Sequence, residues 1–494
     1  MSFNSFQFLV FFPIVVILYY AIPKKIRPIW LVIASYYFYM SWNAKYAVLI
    51  LTSTIITYLS GILLGKAEKV SSRKWIVAGS FITNLGILVM FKYFAFFLSN
   101  LNKVLGILHV SAIDNPFSFV LPVGISFYTF QALSYTVDVY RNEIEPEKNF
   151  INYALFVSFF PQLVAGPIER SGNLLTQIQS VSKKKLFDYD KFVKGFSLMC
   201  WGMFVKMVIA DRVAIFVDTV FNSIYNIGSV EALFGALGFT LQIYCDFSGY
   251  SLIAIGAANV MGFDLMENFN TPYFAESIQD FWRRWHISLS PWFRDYLYIP
   301  LGGSRCSKLR KYFNIMVTFL VSGLWHGAAW TFVIWGGLHG IYQIVGDLLR
   351  PVKKKVNELL KVNTEAFSFK FGRIITTFFL TVVAWIFFKA GSIGVAFRYL
   401  RALFTKWNPW VFFDSSLYEY GLDRPEAMIL LWSILALFVV DVIRYKKGLN
   451  IGEFLVKQNL WFRWIVLIVL IVCCLVFGEY GIDFDSSQFI YFQF

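Results

Sequence analysis

Apolar stretches about as long as a bilayer is thick recur along the whole of this 494-residue chain, and this feature narrows its possible folds most. A helix needs ~20 apolar residues to cross a ~30 Å hydrocarbon core. Backbone groups left unpaired in lipid are prohibitive, so each such run must be helical. Runs of this kind occupy residues 6–22, 30–42, 46–64, 75–98, 119–140, 192–221, 232–261, 374–389, 428–443 and 461–477. The composition fits, with 58% hydrophobic and 15% charged residues, against roughly 45–50% and about 25% in soluble domains. Disordered, collagen-like and disulfide-scaffold classes are excluded. The expected fold class is an all-α polytopic membrane protein, a single transmembrane domain over 1–494 with a C-terminal tail at 479–494.

A net charge of +14 would suggest nucleic acid in a soluble chain; here it reads as loop charge that sets topology, so no nucleic-acid partner is expected. Lys and Arg gather in cytoplasmic loops and face anionic headgroups. Lys24, Lys25 and Arg27 follow the first run, and Lys66, Lys69, Arg73 and Lys74 follow the third, which places the N-terminus outside. Arg444, Lys446, Lys447 and Lys457 precede the final run, so the tail also emerges outside. The first run lacks a basic leader and a small-residue cleavage site, and is read as a retained anchor. The five cysteines have no zinc or disulfide spacing and are read as buried thiols.

Two regions break the alternation. Residues 156–168 are short for a crossing and carry Pro161, Gly166 and Pro167, which predicts a broken or re-entrant helix covered by protein. Residues 312–349 are apolar over about two helix lengths, with Lys311 before and Lys353, Lys354 and Lys355 after. The chain therefore enters and returns to one side, turning near 322–329. At ~1.5 Å per residue, His326 lies about 22 Å beyond Lys311.

An ionisable group at that depth is a functional candidate by default. A neutral imidazole there can take a proton from a hydroxyl attacking an acyl carbonyl; a structural histidine bonded to a helix carbonyl is the alternative. Trp325 flanks it as a further tunnel candidate. His286 follows Trp282-Arg283-Arg284-Trp285. Arginines among tryptophans could clamp phosphate or anchor an interfacial helix. Asp246, inside an apolar run, could orient a histidine, line a polar cavity or bond between helices. His339 reads as packed. His109 opens an HxxxxD pattern, rejected because topology places it outside. No Walker A, GxGxxG, GxSxG or metal-spaced motif occurs, and no metal is expected.

The stretch FWRRWHISLSPWFRDYLYIPLGG (281–303), followed by SGLWHGAAWTFVIWGGLHG (322–340), resembles the membrane-bound O-acyltransferase family. It is similar in particular to the bacterial branch of alginate and peptidoglycan O-acetylation and teichoic-acid D-alanylation. LPVGISFYTFQ (121–131), FPQLVAGPIER (160–170) and NFNTPYFA (268–275) extend the resemblance. Leu252 departs from it where an acidic residue is expected. The resemblance implies a ring of about eleven transmembrane helices, re-entrant segments, a central tunnel and a catalytic core at 120–350, all helical as lipid requires. It also implies His326 as catalytic histidine and His286 as a second active-site histidine. Acetyl-CoA, or another acyl-CoA, would be the donor, its phosphates held by Arg283, Arg284 and Arg294. An SGNH-type extracytoplasmic partner would complete transfer to a polysaccharide from the bacterial cytoplasmic membrane. The C-terminal FIYFQF resembles an FxYxxF motif whose tyrosine is an acyl relay, here Tyr491; an interfacial aromatic anchor is the plainer reading. The rival classes are a transporter or flippase, and an acyltransferase directed at lipid or protein.

Overall fold

The computed structural model describes residues 1–117, 121–183, 187–480 and 490. Among them the chain is helical, with one isolated bridge, Phe269 to Trp285, in place of any strand. Six helical stretches are long and apolar enough to cross a bilayer: Ala44–Lys66, Val70–Ile107, Trp330–Leu359, Phe367–Lys389, Arg424–Lys447 and Leu460–Phe477. Phe6–Ala21 is shorter and equally apolar. Ser229–Val260, with 32 residues, and Lys308–His326, with 19, have the length but carry polar side chains. This is an all-α, multi-pass membrane protein.

The chain forms two compact units, one from 1–199 with 253–266 and 486–494, the other from 200–252 with 267–485. In the first, Ile125–Tyr140 is buried along almost its whole length. Small and hydroxyl side chains let its neighbours approach, as helix packing in lipid requires. A Cβ at Gly61 would lie 2.5 Å from the Tyr135 hydroxyl, while Tyr153 donates to Thr57 at 2.7 Å. The predicted break is present: Phe150–Ser158 ends at Phe159, and Phe160–Leu163 makes a single further turn, with residues 153–163 buried. The sequence places the end of the fourth run at 98, but its helix continues through a wide turn at Val89–Tyr93 to Ile107.

In the second unit the predicted hairpin is Lys308–His326 and Trp330–Leu359, turning at Gly327, Ala328 and Ala329. Gly323 and Gly336 form the contact between its arms: a methyl on Gly323 would overlap the Phe332 carbonyl, and one on Gly336 the Phe319 carbonyl. The second arm runs ten residues beyond the apolar limit at 349, through Pro351 and the lysines. At the other end, Gly302 and Gly303 have φ of +112° and +57°, a turn open to glycine at no steric cost. Asn314 pins it by donating to the Gly303 carbonyl at 3.1 Å.

Candidate active site

His326 is the last residue of its helix and is only 4% exposed. Three rings meet it edge-on, with centroid distances of 4.9 Å to Trp325, 5.0 Å to Trp335 and 5.4 Å to Phe388, and Phe332 packs on Phe388 at 4.9 Å. Trp325 bridges to the second histidine, its ring 6.2 Å from His286. The hairpin turn and the RWH segment thus bring His286 to Trp325 and His326, about 40 positions further along the chain.

His286 is fully buried, against Phe247 at 4.7 Å. It sits between the short helices Ile278–Arg284 and Leu289–Phe293, outside the spanning helices. Its backbone is held at φ +46°, a left-handed conformation that costs of order 1–3 kcal/mol and persists where the surroundings over-determine it. They do so here. Asn270 N–H donates to the Arg284 carbonyl at 2.9 Å, and Ile287 N–H to the Asn268 carbonyl at 2.9 Å. Asn268 is itself fixed, accepting from Ser288 at 2.6 Å and donating to Ser251 at 2.9 Å. Burial pushes the His286 imidazole down to about 3, so it is neutral near pH 7. Asn268 and Ser288 are site residues that sequence reasoning passed over; the NFNTPYFA segment was noted only as a likeness.

A cavity of about 2120 Å³ opens beneath this cluster. Its floor includes Trp282, Phe319 and Ser322, and Ser322 stands one helical turn before His326 on the same helix. Its wall carries eight cationic side chains and three acidic ones. Three ion pairs occupy the acids: Asp347 with Lys311 at 2.7 Å and with Arg350 at 3.2 Å, and Glu276 with Arg373 at 3.1 Å. Lys354 lies 3.8 Å from Glu358. Arg283, Lys353 and Lys361 make no ion pair among the described residues, so the cavity presents surplus positive charge.

The three arginines expected to hold phosphate separate here. Arg283 and Arg294 line the cavity, Arg294 also pairing with Asp295 at 2.7 Å. Arg284 turns elsewhere, to both carboxylate oxygens of Asp280 at 3.0 Å and over the Tyr445 ring. Arg350, Lys353, Lys354 and Lys361 line the same cavity; in the sequence Lys353 and Lys354 mark only the end of a span. The spacing of three and four residues from Arg350 to Lys353 and Lys354 was the available signal, because it puts them on one face once the helix is extended.

Asp246 lies in a buried ionic cluster. Its Oδ1 lies 2.5 Å from Lys206, which also meets Asp211 at 2.5 Å, all three buried. A buried carboxylate needs a charge or hydrogen-bond partner, and the cation in the wide turn Phe204–Ala210 supplies it. His339 is packed, as read, and accepts from the Trp282 indole at 3.2 Å. Tyr491 lies outside the described residues. Among those described, no cluster of three or more His, Cys, Asp or Glu could hold a metal ion.

The family model for MBOAT, the membrane-bound O-acyltransferase family, matches residues 143–382, which contain both histidines and the cavity. The chain is 38% identical over 442 residues to the probable alginate O-acetylase AlgI of Pseudomonas aeruginosa, covering 88% of this chain and 81% of that one. It is 36% identical over 403 residues to the peptidoglycan O-acetyltransferase of Helicobacter pylori, covering 76% and 73%. It is 26% identical to the teichoic acid D-alanyltransferase of Bacillus subtilis, over 49% of this chain and 62% of that one. With its deep histidine, its basic cavity and relatives of this closeness over most of their length, the chain belongs to the membrane-bound O-acyltransferase family.

Proposed function

We propose that this protein transfers an acetyl group from acetyl-CoA on the cytoplasmic side of a bacterial inner membrane to a hydroxyl bound for a cell-surface or secreted polysaccharide. The observation that carries the reading is the helical hairpin, which holds a basic cavity along one arm and a buried histidine at its tip. Phosphates of the donor suit Arg283, Arg294, Lys353 and Lys354 at the cavity wall, since cation-to-phosphate hydrogen bonds are the strong kind. Acetyl is favoured because two relatives are named for O-acetyl transfer.

His326 acts as general base. It takes the proton of the acceptor hydroxyl as that oxygen forms its bond to the thioester carbonyl. The tetrahedral adduct then expels the CoA sulfur as its C–S bond breaks, and the imidazolium returns the proton to sulfur. Ester and free thiol result, and the histidine is neutral again. His286, neutral and rigid, orients the carbonyl from the other side of Trp325. The C-terminal motif makes Tyr491 the first acceptor on the outer side, with an SGNH-type partner moving the acetyl group onward to the polysaccharide.

Purified protein incubated with radiolabelled acetyl-CoA tests this. Label is expected on the wild type, and is lost in His326→Ala and in Tyr491→Phe. Labelling that survives in His326→Ala removes the catalytic assignment; labelling that survives only in Tyr491→Phe removes the relay and leaves the acyltransferase.

A further inference from the structure

Aromatic rings that line the basic cavity pack on those around the imidazole, and one of them is held by its own hydrogen bond. Trp282 lines the cavity and is 8% exposed. Its Nε1–H donates to Nδ1 of His339 at 3.2 Å. The indole meets Phe319 at 5.4 Å and Trp335 at 5.8 Å, both near edge-on. Trp335 also meets His326, at 5.0 Å.

His339 is immobilised in turn. Its ring lies parallel to Phe281, at 6.1 Å and 6°, and close to parallel with Phe319, at 6.2 Å and 22°. Trp335 closes a third side at 5.1 Å. Because Nδ1 accepts from the indole, the neutral imidazole carries its proton on Nε2. The hydrogen bond therefore has a fixed donor, a fixed acceptor and no room for either ring to turn.

We propose that Trp282 sets the length of acyl group the enzyme takes, and that His339 is the positioning residue that holds it there. The inference rests on the reading of this cavity as the site of an acyl-CoA. Charge lies on the cavity wall, where phosphates bind, so the apolar end of the donor points at the floor. A bulky, buried indole lining that end limits how far an acyl chain can extend past its carbonyl. In a filled apolar pocket each methylene is discriminated by about 10- to 200-fold. Replacing the indole by a methyl opens a hollow whose remaining walls, Phe319 and Trp335, are themselves apolar and suited to an alkyl chain.

Binding of the thioethers S-ethyl-CoA and S-hexyl-CoA to the full chain in detergent tests this without any acceptor, with CoA alone as reference. The wild type is expected to bind S-ethyl-CoA at least ~10-fold tighter than S-hexyl-CoA. In Trp282→Ala the two affinities come within about threefold or reverse, by gain for the longer ligand. His339→Leu, which leaves the indole without an acceptor, shifts the ratio the same way, and His339→Gln, which keeps one, restores it. A merely structural role lowers both affinities together and leaves the ratio alone; an unchanged ratio in Trp282→Ala overturns the proposal. Should that variant aggregate, an unchanged ratio in both Trp282→Phe and His339→Leu overturns it equally. A wild type that binds CoA without preferring the shorter thioether overturns the length limit only. A wild type that binds neither thioether nor CoA overturns the acyl-CoA reading, and the length limit with it.

Discussion

A methyl group placed on Gly323 would stand 3.3 Å from the Cα of Gly336 and overlap the Phe332 carbonyl, so the two arms of the hairpin meet backbone to backbone. His326 is one turn from this contact, and its depth depends on it. Gly323→Ala is expected to destabilise by about 1–3 kcal/mol, as overpacking does, and to displace the imidazole. Gly346→Ala, on the same hairpin but facing open space, is the control. Thermal unfolding in detergent reads the difference, and equal midpoints for the two variants would remove the wedge argument.

Lys206 offsets two buried carboxylates at once, those of Asp211 and Asp246. Lys206→Met strips the charge from both and is expected to cost about 3–5 kcal/mol, the usual penalty for breaking a buried pair from one side. Asp246→Asn leaves the lysine paired with Asp211 and should cost about 1–3 kcal/mol. Denaturant unfolding compares them. If the asparagine variant is as unstable as the methionine one, Asp246 does more than balance charge.

Burial holds His286 down to about 3, whereas an unfolded histidine titrates near 6.5. Between those values the unfolded chain binds a proton that the folded chain refuses, so stability from this group is present above about pH 6.5 and is lost as pH falls toward 3. The steepest loss is about 1.4 kcal/mol per pH unit. His286→Gln cannot take up that proton. The melting temperature of the wild type should therefore drop more between pH 7 and pH 5 than that of the variant, and parallel curves would mean that His286 is solvated and charged.

The hairpin, the break at Phe159 and the place of His326 at the hairpin tip were legible in the sequence because bilayer thickness converts residue counts into helix lengths. Tertiary commitments were not. Nothing local in Trp282-Arg283-Arg284 says that Arg284 turns to Asp280 while Arg283 faces the cavity; a helix turn of 100° per residue decides it. Asp246 was recognised as unusual, but its partner lies 40 residues earlier, in a wide turn that apolar periodicity does not reveal. The lysines after residue 350 were read as the end of a span because charge normally marks one, yet a helix leaving a membrane keeps its hydrogen bonds and continues to Leu359. Their role in the cavity wall appears only once that extension is known.

That division of labour among cations yields a graded prediction for the donor site. Arg283 makes no ion pair among the described residues, so its guanidinium is available to phosphate; Arg283→Gln is expected to raise the KM for acetyl-CoA by roughly tenfold, the loss of one charge-assisted contact. Lys353 is exposed on the same wall, where solvent screens the charge, and Lys353→Gln should raise KM only about two- to fivefold. Both effects shrink in high salt, because screening already weakens what the substitution removes. Arg284→Gln should leave KM within about twofold, since its partners are Asp280 and Tyr445, and should act on stability by about 0–1 kcal/mol, as a partly exposed pair does. Initial rates across acetyl-CoA concentrations at low and high salt separate the three. A KM rise in Arg284→Gln as large as in Arg283→Gln would show that the arginine leaves Asp280 for the donor when the donor is bound.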